Sequence, residues 1–196
     1  CFGSSISQFL AMQQQGVLIV DDIRDLLTQQ FQRLTLLEQD IMYWLAVNRE
    51  PISLSQLKSD LLGNVPLSDL MEGLSCLQRR SLIESSSNSE SATFTQQPVV
   101  MEYVINRLLE EVAAEIRDGQ ITEKRTPLLI THALLKAQAK DYVRETQATL
   151  ILKPLIEQLI TELGEATLSS RLTEILEQLR GKPYPQTGYA GGNILN

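Results

Sequence analysis

The stretch that most constrains this chain runs from Leu34 to Val104, where three short amphipathic segments precede two strand-like runs flanking a serine tract. Thr35-Leu36-Leu37-Glu38 has the form of a capping box, in which the threonine oxygen accepts from a free backbone N–H and the glutamate reaches back to the cap. A helix is expected to start there. Leu37, Ile41, Trp44 and Leu45 recur at helical spacing, and the run should end between Asn48 and Pro51, because a residue before proline is pushed out of the α region. Ser53-Leu54-Ser55-Gln56 offers a second cap, Leu54, Leu57, Leu61 and Leu62 a second stripe, and Gly63 a stop. A third stripe, Leu67, Leu70, Met71, Leu74 and Leu77, leads to Arg79-Arg80, whose cations suit a helix C-terminus, with Gly73 weakening it. Ser81-Leu82-Ile83-Glu84 and Ala92-Thr93-Phe94-Thr95 are brief strand candidates, and Ser85 to Ser91 between them is expected to be a loose polar tip. Three helices and a small β-hairpin make the pattern of a winged helix.

Winged helices most often bind DNA, and the charge of this one argues against that use. From Leu34 to Val104 there are four cations (Arg49, Lys58, Arg79, Arg80) against nine acids (Glu38, Asp40, Glu50, Asp60, Asp69, Glu72, Glu84, Glu90, Glu102), a net of −5. DNA affinity comes largely from Lys and Arg contacts to phosphates, and a reading helix presents its first residues to the bases. Here those positions hold Asp69 and Glu72, and the hairpin holds no cation. The whole chain carries −7, which disfavours nucleic acid and anionic membrane surfaces alike. No run of about 18 apolar residues suggests a membrane span. The two cysteines, Cys1 and Cys76, stand far apart, with Cys76 inside a predicted helix, so neither a disulfide framework nor zinc spacing can be built from them. A reducing cytoplasm is the expected location.

Helices are expected on both sides. Upstream, Asp21-Asp22 caps a helix whose core stripe is Ile23, Leu26, Leu27 and Phe31. Downstream, Val100, Val104, Leu108, Val112 and Ile116 define a helix from Val99 to Arg117, closed by Gly119. Leu128 to about Thr149 reads as another, interrupted towards Pro154, which can open a helix through Leu163 that Gly164 closes. A last helix spans Leu168 to about Leu179, ahead of the turn-rich Gly181-Lys182-Pro183-Tyr184-Pro185. The expected fold class is mostly α, a winged-helix domain followed by an α-helical bundle. The chain starts at Cys1 and stops at Asn196 in apolar sequence, which reads as a piece of a longer protein.

Lone chemical groups carry little. His132 has no cysteine or second histidine nearby and reads as structural, so no metal site is expected. The acid pairs Asp21-Asp22 and Glu110-Glu111 are explained by caps and solvated faces. Tyr43, Trp44 and Phe94 read as core. Lys136, Lys140 and Arg144, offset by Asp141 and Glu145, read as a solvated helix face. Ser4-Ser5 and Ser85 to Ser91 have no triad partners.

The phrases QQFQRLTLLEQDIMYWLAVNREPISL, LMEGLSCLQRRSLIE and FTQQPVVMEYV resemble the winged-helix part of NB-ARC-type STAND NTPases, particularly the large cyanobacterial ones. In that family a P-loop nucleotide-binding domain and a small helical domain precede the winged helix, and a further helical domain and a repeat sensor, often a WD-repeat propeller, follow it. The resemblance implies that residues 1–33 are the tail of the small helical domain, 34–98 the winged helix, 99–181 the later helical domain and 182–196 a linker toward a C-terminal repeat domain. It also implies one functional position. A histidine in a Met-His-Asp type motif at the end of the second wing strand contacts the β-phosphate of ADP, and the matching residues here are Gln96, Gln97 and Pro98. Gln97 can still donate an amide hydrogen bond to a phosphate but cannot become cationic.

No G-x-x-x-x-G-K-[ST] phosphate loop occurs, so the segment is expected to be non-catalytic, with ADP or ATP held elsewhere in an NTPase parent. The expected function is a regulatory segment of a nucleotide-dependent signalling switch. It would pack on an absent nucleotide-binding domain, relay a signal from a C-terminal repeat domain and take part in self-assembly of the parent. The alternatives are a winged-helix DNA-binding transcriptional regulator and a passive helical scaffold for a protein partner.

Overall fold

The computed structural model describes residues 22–88, 91–119 and 126–196. It is mostly helical, with one small antiparallel sheet. Helix α1 (residues 22–32) leads to α2 (Leu36–Asn48), β1 (Ile52–Ser53), α3 (Leu54–Asp60), α4 (Leu67–Arg79), β2 (Glu84–Asn88) and β3 (Ser91–Thr95). The long α5 (Pro98–Asp118) carries the chain into α6 (Leu128–Thr131), α7 (Asp141–Gln147), α8 (Lys153–Leu163), α9 (Glu165–Leu179), α10 (Tyr184–Thr187) and α11 (Ala190–Leu195).

Local chemistry sets most element ends where the sequence places them. Thr35 and Ser53 both close capping boxes, with the Glu38 and Gln56 side chains accepting from the cap N–H groups at 2.7 and 2.9 Å. Gly119, at φ 62, ends α5 in the left-handed conformation that favours glycine. Helix α3 stops earlier than expected, at Asp60, leaving Leu61 and Leu62 outside it and Gly63 in the bend beyond.

The hairpin differs from its expected form. Ser81-Leu82-Ile83 is a turn that buries Leu82 and Ile83, and the strand begins only at Glu84. The serine tract expected as a loose tip supplies most of β2, paired with β3 from Glu84↔Thr95 to Asn88↔Ser91. Serine has weak strand propensity, but the ladder with β3 pairs the backbone groups on that side of this edge strand in register, and the context overrides propensity. Strand β1 joins the other edge of β3 through Ile52↔Phe94, which gives the order β1-β3-β2.

Helix α2 is the centre of the molecule. Ile41, Met42, Tyr43, Trp44, Leu45, Ala46 and Val47 are each at most 1% exposed. A helix apolar all round is a fully covered one, and here one side meets α4 while the other meets α5 and the segment around His132. One hydrophobic cluster therefore runs from Phe31 to Ala190. Each such large side chain contributes about 1.5–3 kcal/mol when fully buried. The stripe of α5, Val100, Val104, Leu108, Val112 and Ile116, is buried as its spacing requires.

Two helical expectations need correction. In α1 only the C-terminal half of the stripe reaches the core: Phe31 is 2% exposed, whereas Ile23 and Leu26 are 40% and 56% exposed. The helix expected from Leu128 to Thr149 is broken. Four residues of α6 are followed by a non-helical stretch from His132, and helix resumes at Asp141. From there the chain stays helical into α8, through a π-turn at Ala148–Leu152 in which the Lys153 N–H reaches Ala148 O. Pro154 accounts for this widening, since its ring would collide with the carbonyl four residues back in a regular α-helix. Residues 182–196, the expected linker, carry α10 and α11, with Ala190 fully buried.

Candidate functional site

The junction between β3 and α5 holds the residues matched to the phosphate-contacting motif. Gln96 points inward: it is 4% exposed, and its amide donates to the Met42 carbonyl at 3.0 Å, which ties the strand end to α2. Its Oε1 is buried without a hydrogen-bond partner. Gln97 points outward as the N-cap residue of α5, where its side chain makes no cap bond. Pro98 occupies the first turn, where its missing N–H costs nothing. The Gln97 amide donates instead to Glu84 Oε1 at 3.0 Å, across the hairpin. The side chain against Gln97 is thus a carboxylate, of the same charge sign as a phosphate. As placed, with the Gln97 amide turned to Glu84, these residues do not by themselves fit a β-phosphate, because the carboxylate would repel it.

A second group of functional-looking side chains lies at the C-terminal end of α2, and sequence reasoning missed it. Lys136, expected on a solvated helix face, sits in the non-helical stretch after His132 and reaches into the fold. Its Nζ donates to Asp60 Oδ2 and Oδ1 at 2.7 and 2.8 Å and to Asn48 Oδ1 at 2.9 Å. Asn48 and Asp60 are 8% and 7% exposed, and Asn48 Nδ2 donates in turn to Trp44 O and Asp60 Oδ2. The Lys136 ammonium also lies 5.7 Å from the Trp44 ring centroid. Nearby, Gln147, fully buried, donates to Val47 O and accepts from the Lys136 N–H, both at 2.9 Å. The Gln147 amide thus supplies a partner to Val47 O, one of the last carbonyls of α2, which lack partners within the helix. A signal for this existed: Asp60 is the last residue of α3, where a negative charge opposes the helix dipole and calls for a cation.

Outside this clamp, Lys140 bonds the Tyr142 hydroxyl at 3.1 Å and lies 3.5 Å from Glu50, and Tyr142 also donates to Glu50. The hydrogen bond to Tyr142, with the Glu50 charge beside it, holds the exposed ammonium above its ordinary range. Of the row Lys136, Lys140 and Arg144, two cations therefore fasten the second half of the chain onto the first.

The remaining residues singled out by sequence fall as follows. His132 is fully buried, between Tyr43 and Trp44, with Nδ1 2.9 Å from Thr131 Oγ1 and Nε2 3.3 Å from Asp40 O. Tyr43 and Trp44 are core and Phe94 partly so. Glu110 and Glu111 pair with Arg24 and Arg107. Arg107 also lies 4.8 Å over the Phe31 ring. Burial works against the Arg107 charge, but Glu111 and the Tyr43 and Tyr103 hydroxyls outweigh it and raise its pKa further. Cys76 is half-buried and accepts from Arg79 Nη2. Cys1, Ser4-Ser5 and Asp21 lie outside the described residues.

The solvent face of α4 presents Leu67, Ser68, Asp69, Met71, Glu72 and Ser75, with Leu67 47% and Met71 56% exposed. It combines acids with two apolar side chains one turn apart. Among the described residues no helix is long and apolar enough to cross a membrane.

No protein-family model matches this chain, and no solved structure does. It is similar to an uncharacterized WD repeat-containing protein of Nostoc sp. (strain PCC 7120), with 53% identity over 224 aligned residues. The alignment takes in all of this chain and 18% of the relative, so the chain spans under a fifth of the protein it matches.

Proposed function

We propose that this chain is a regulatory, protein-packing segment of a larger WD repeat-containing signalling protein of the NB-ARC STAND type, with residues 34–98 as its winged helix. The observation that carries the reading is the exposed face of α4. At the place where a DNA-reading helix needs cations and polar side chains, it offers Asp69, Glu72, Leu67 and Met71. Exposed apolar side chains ringed by polar ones suit contact with another protein domain. The similarity to a WD repeat-containing relative supports a parent with a repeat domain. In this reading the nucleotide belongs to an upstream P-loop domain, ADP favours the state in which this segment is packed on that domain, and ATP favours its release. Gln97, paired with Glu84, would lie at the edge of that interface, and the partner domain would supply the cations for the phosphates.

The test is hydrogen exchange on the longer protein with ADP and with ATP. Protection of Phe94 to Met101 and of Leu67 to Ser75 that changes with the nucleotide supports the switch; equal protection in both removes it. A passive scaffold for a protein partner is the second reading, which the WD repeat of the relative equally favours. It predicts a reading frame without an upstream P-loop. The DNA-regulator reading predicts a salt-dependent shift of duplex DNA, and a flat titration at low salt would remove it.

A further inference from the structure

The last twelve residues of helix and turn fold back over the core and are held there by an unusual kind of contact. Asn193, on α11, donates from Nδ2 to Leu129 O and His132 O, both at 2.8 Å, and accepts from the Leu134 N–H at 2.8 Å. One side chain thus satisfies three backbone groups around the broken end of α6. The Tyr189 N–H donates to Ile130 O at 2.9 Å. Beside it, Gly188 (φ +45) approaches so closely that a Cβ there would lie 2.2 Å from Ile130 O. The Tyr189 hydroxyl donates to Asp60 O at 2.9 Å, and its ring stands edge-on to Trp44 at 5.3 Å. Burial holds the Tyr189 proton, pushing its pKa up to about 12, with Tyr184 and Asp60 adding to the effect.

These contacts are largely polar. Ala190 is fully buried and Tyr189 and Ile194 pack partly buried against the core, while Tyr184 and Leu195 are 63% and 81% exposed, so the segment buries fewer apolar side chains than the core helices. Segments held by few buried apolar contacts open at lower free energy than the core they cover. Beneath this one lie Trp44 and His132, and Asp60 belongs to the Lys136 clamp.

We propose that residues 184–195 form a detachable strap, which opens from its seat on α6 as one unit and, in opening, releases Trp44 and Asp60 and so loosens the clamp on the end of α2. The proposal is independent of any nucleotide. It makes the strap a device by which a pull or a competing contact on the C-terminal segment is felt at the central helix.

The experiment is native-state hydrogen exchange on the full chain, read with the fluorescence of Trp44, the single tryptophan. In the wild type the amides of Tyr189, Asn193 and Leu134 should exchange together, faster than Leu108 in α5. Asn193→Ala should speed those three by about tenfold to a hundredfold, the loss of two or three ordinary hydrogen bonds, and shift the Trp44 emission to the red, with Leu108 unchanged. Tyr189→Phe keeps the ring on Trp44 and deletes only the bond to Asp60, so it should speed the same amides by a smaller factor. Exchange of the strap at the rate of Leu108 in the wild type would overturn the proposal. Two other results would do the same: fast strap exchange with unchanged Trp44 emission in Asn193→Ala, or equal loss of Leu108 protection in both variants.

Discussion

Lys136→Met removes the ammonium from between Asn48 and Asp60 while leaving an unbranched side chain of similar length in its place. The two residues left behind are 8% and 7% exposed, and the lost contacts are 2.7, 2.8 and 2.9 Å long. Breaking a buried ion pair by removing one partner costs about 3–5 kcal/mol, because the other charge stays buried and uncompensated. The Lys136 side chain is 23% exposed and that of Asp60 10%, so water reaches one side of the pair and the lower end, about 3 kcal/mol, applies. For a domain of this size 1 kcal/mol moves the melting temperature by about 2–4 °C, so Lys136→Met should lower it by about 6–12 °C. Asp60→Leu alone strands Lys136 in the same way and should cost a similar amount. The double variant strands neither charge, and a well-packed apolar replacement of a buried pair is often neutral or better. It should lie within about 1 kcal/mol of wild type, which against two single costs of about 3 kcal/mol each makes a coupling of about 5 kcal/mol. Urea and thermal denaturation followed by circular dichroism at neutral pH measure all four corners of the cycle. Two singles that each cost under about 1 kcal/mol and add without coupling would describe an ordinary surface pair, and the clamp would have no energetic basis.

Other outcomes follow from single contacts. Thr35→Ala deletes one half of a complete capping box and should cost about 1 kcal/mol, read as a lowered urea midpoint with unchanged slope. Gly73→Ala places a Cβ 3.0 Å from Ile41 Cδ1, the movable end of a side chain, so the clash offsets a helix-propensity gain of about 1 kcal/mol. It should be near neutral, whereas Gly73→Leu should destabilise by about 2 kcal/mol through overpacking. Tyr189 carries a folded pKa of about 12 against an ordinary 10.0, so its stabilising effect is complete below pH 10 and is lost as the pH rises through 12. Discounted for its partial exposure, the loss is on the order of 1 kcal/mol, and it should be absent from Tyr189→Phe in denaturant titrations at pH 9 and pH 12.

The parts of this fold that depend on neighbours in sequence were legible in it. The caps at Thr35 and Ser53, the stop at Gly119 and the stripe of α5 each rest on groups within a few residues of one another, so their chemistry is complete before the chain folds. The acidic face of α4 was legible for the same reason. Where the structure departs from the expectation, a distant partner decided. The serine tract became a strand because β3 offered it a ladder. The stripe on α2 understated its burial because the chain after His132 covers the opposite side, which the apolar run Met42 to Val47 hinted at. At the candidate site, Gln96 and Gln97 look equivalent in sequence, and only the packing of the β3–α5 junction sends one to Met42 and the other to Glu84.

The sequence by itself determined the long helices α2, α4 and α5, the caps at Thr35 and Ser53 and the acidic charge balance, since each follows from local hydrogen bonding, periodicity and composition. Only the tertiary structure decided that Lys136, 76 residues from Asp60 and 88 from Asn48, closes the end of the central helix. A long cation looks alike in sequence whether it meets water or a buried carboxylate, and the desolvation that separates the two exists only once the chain has packed around it.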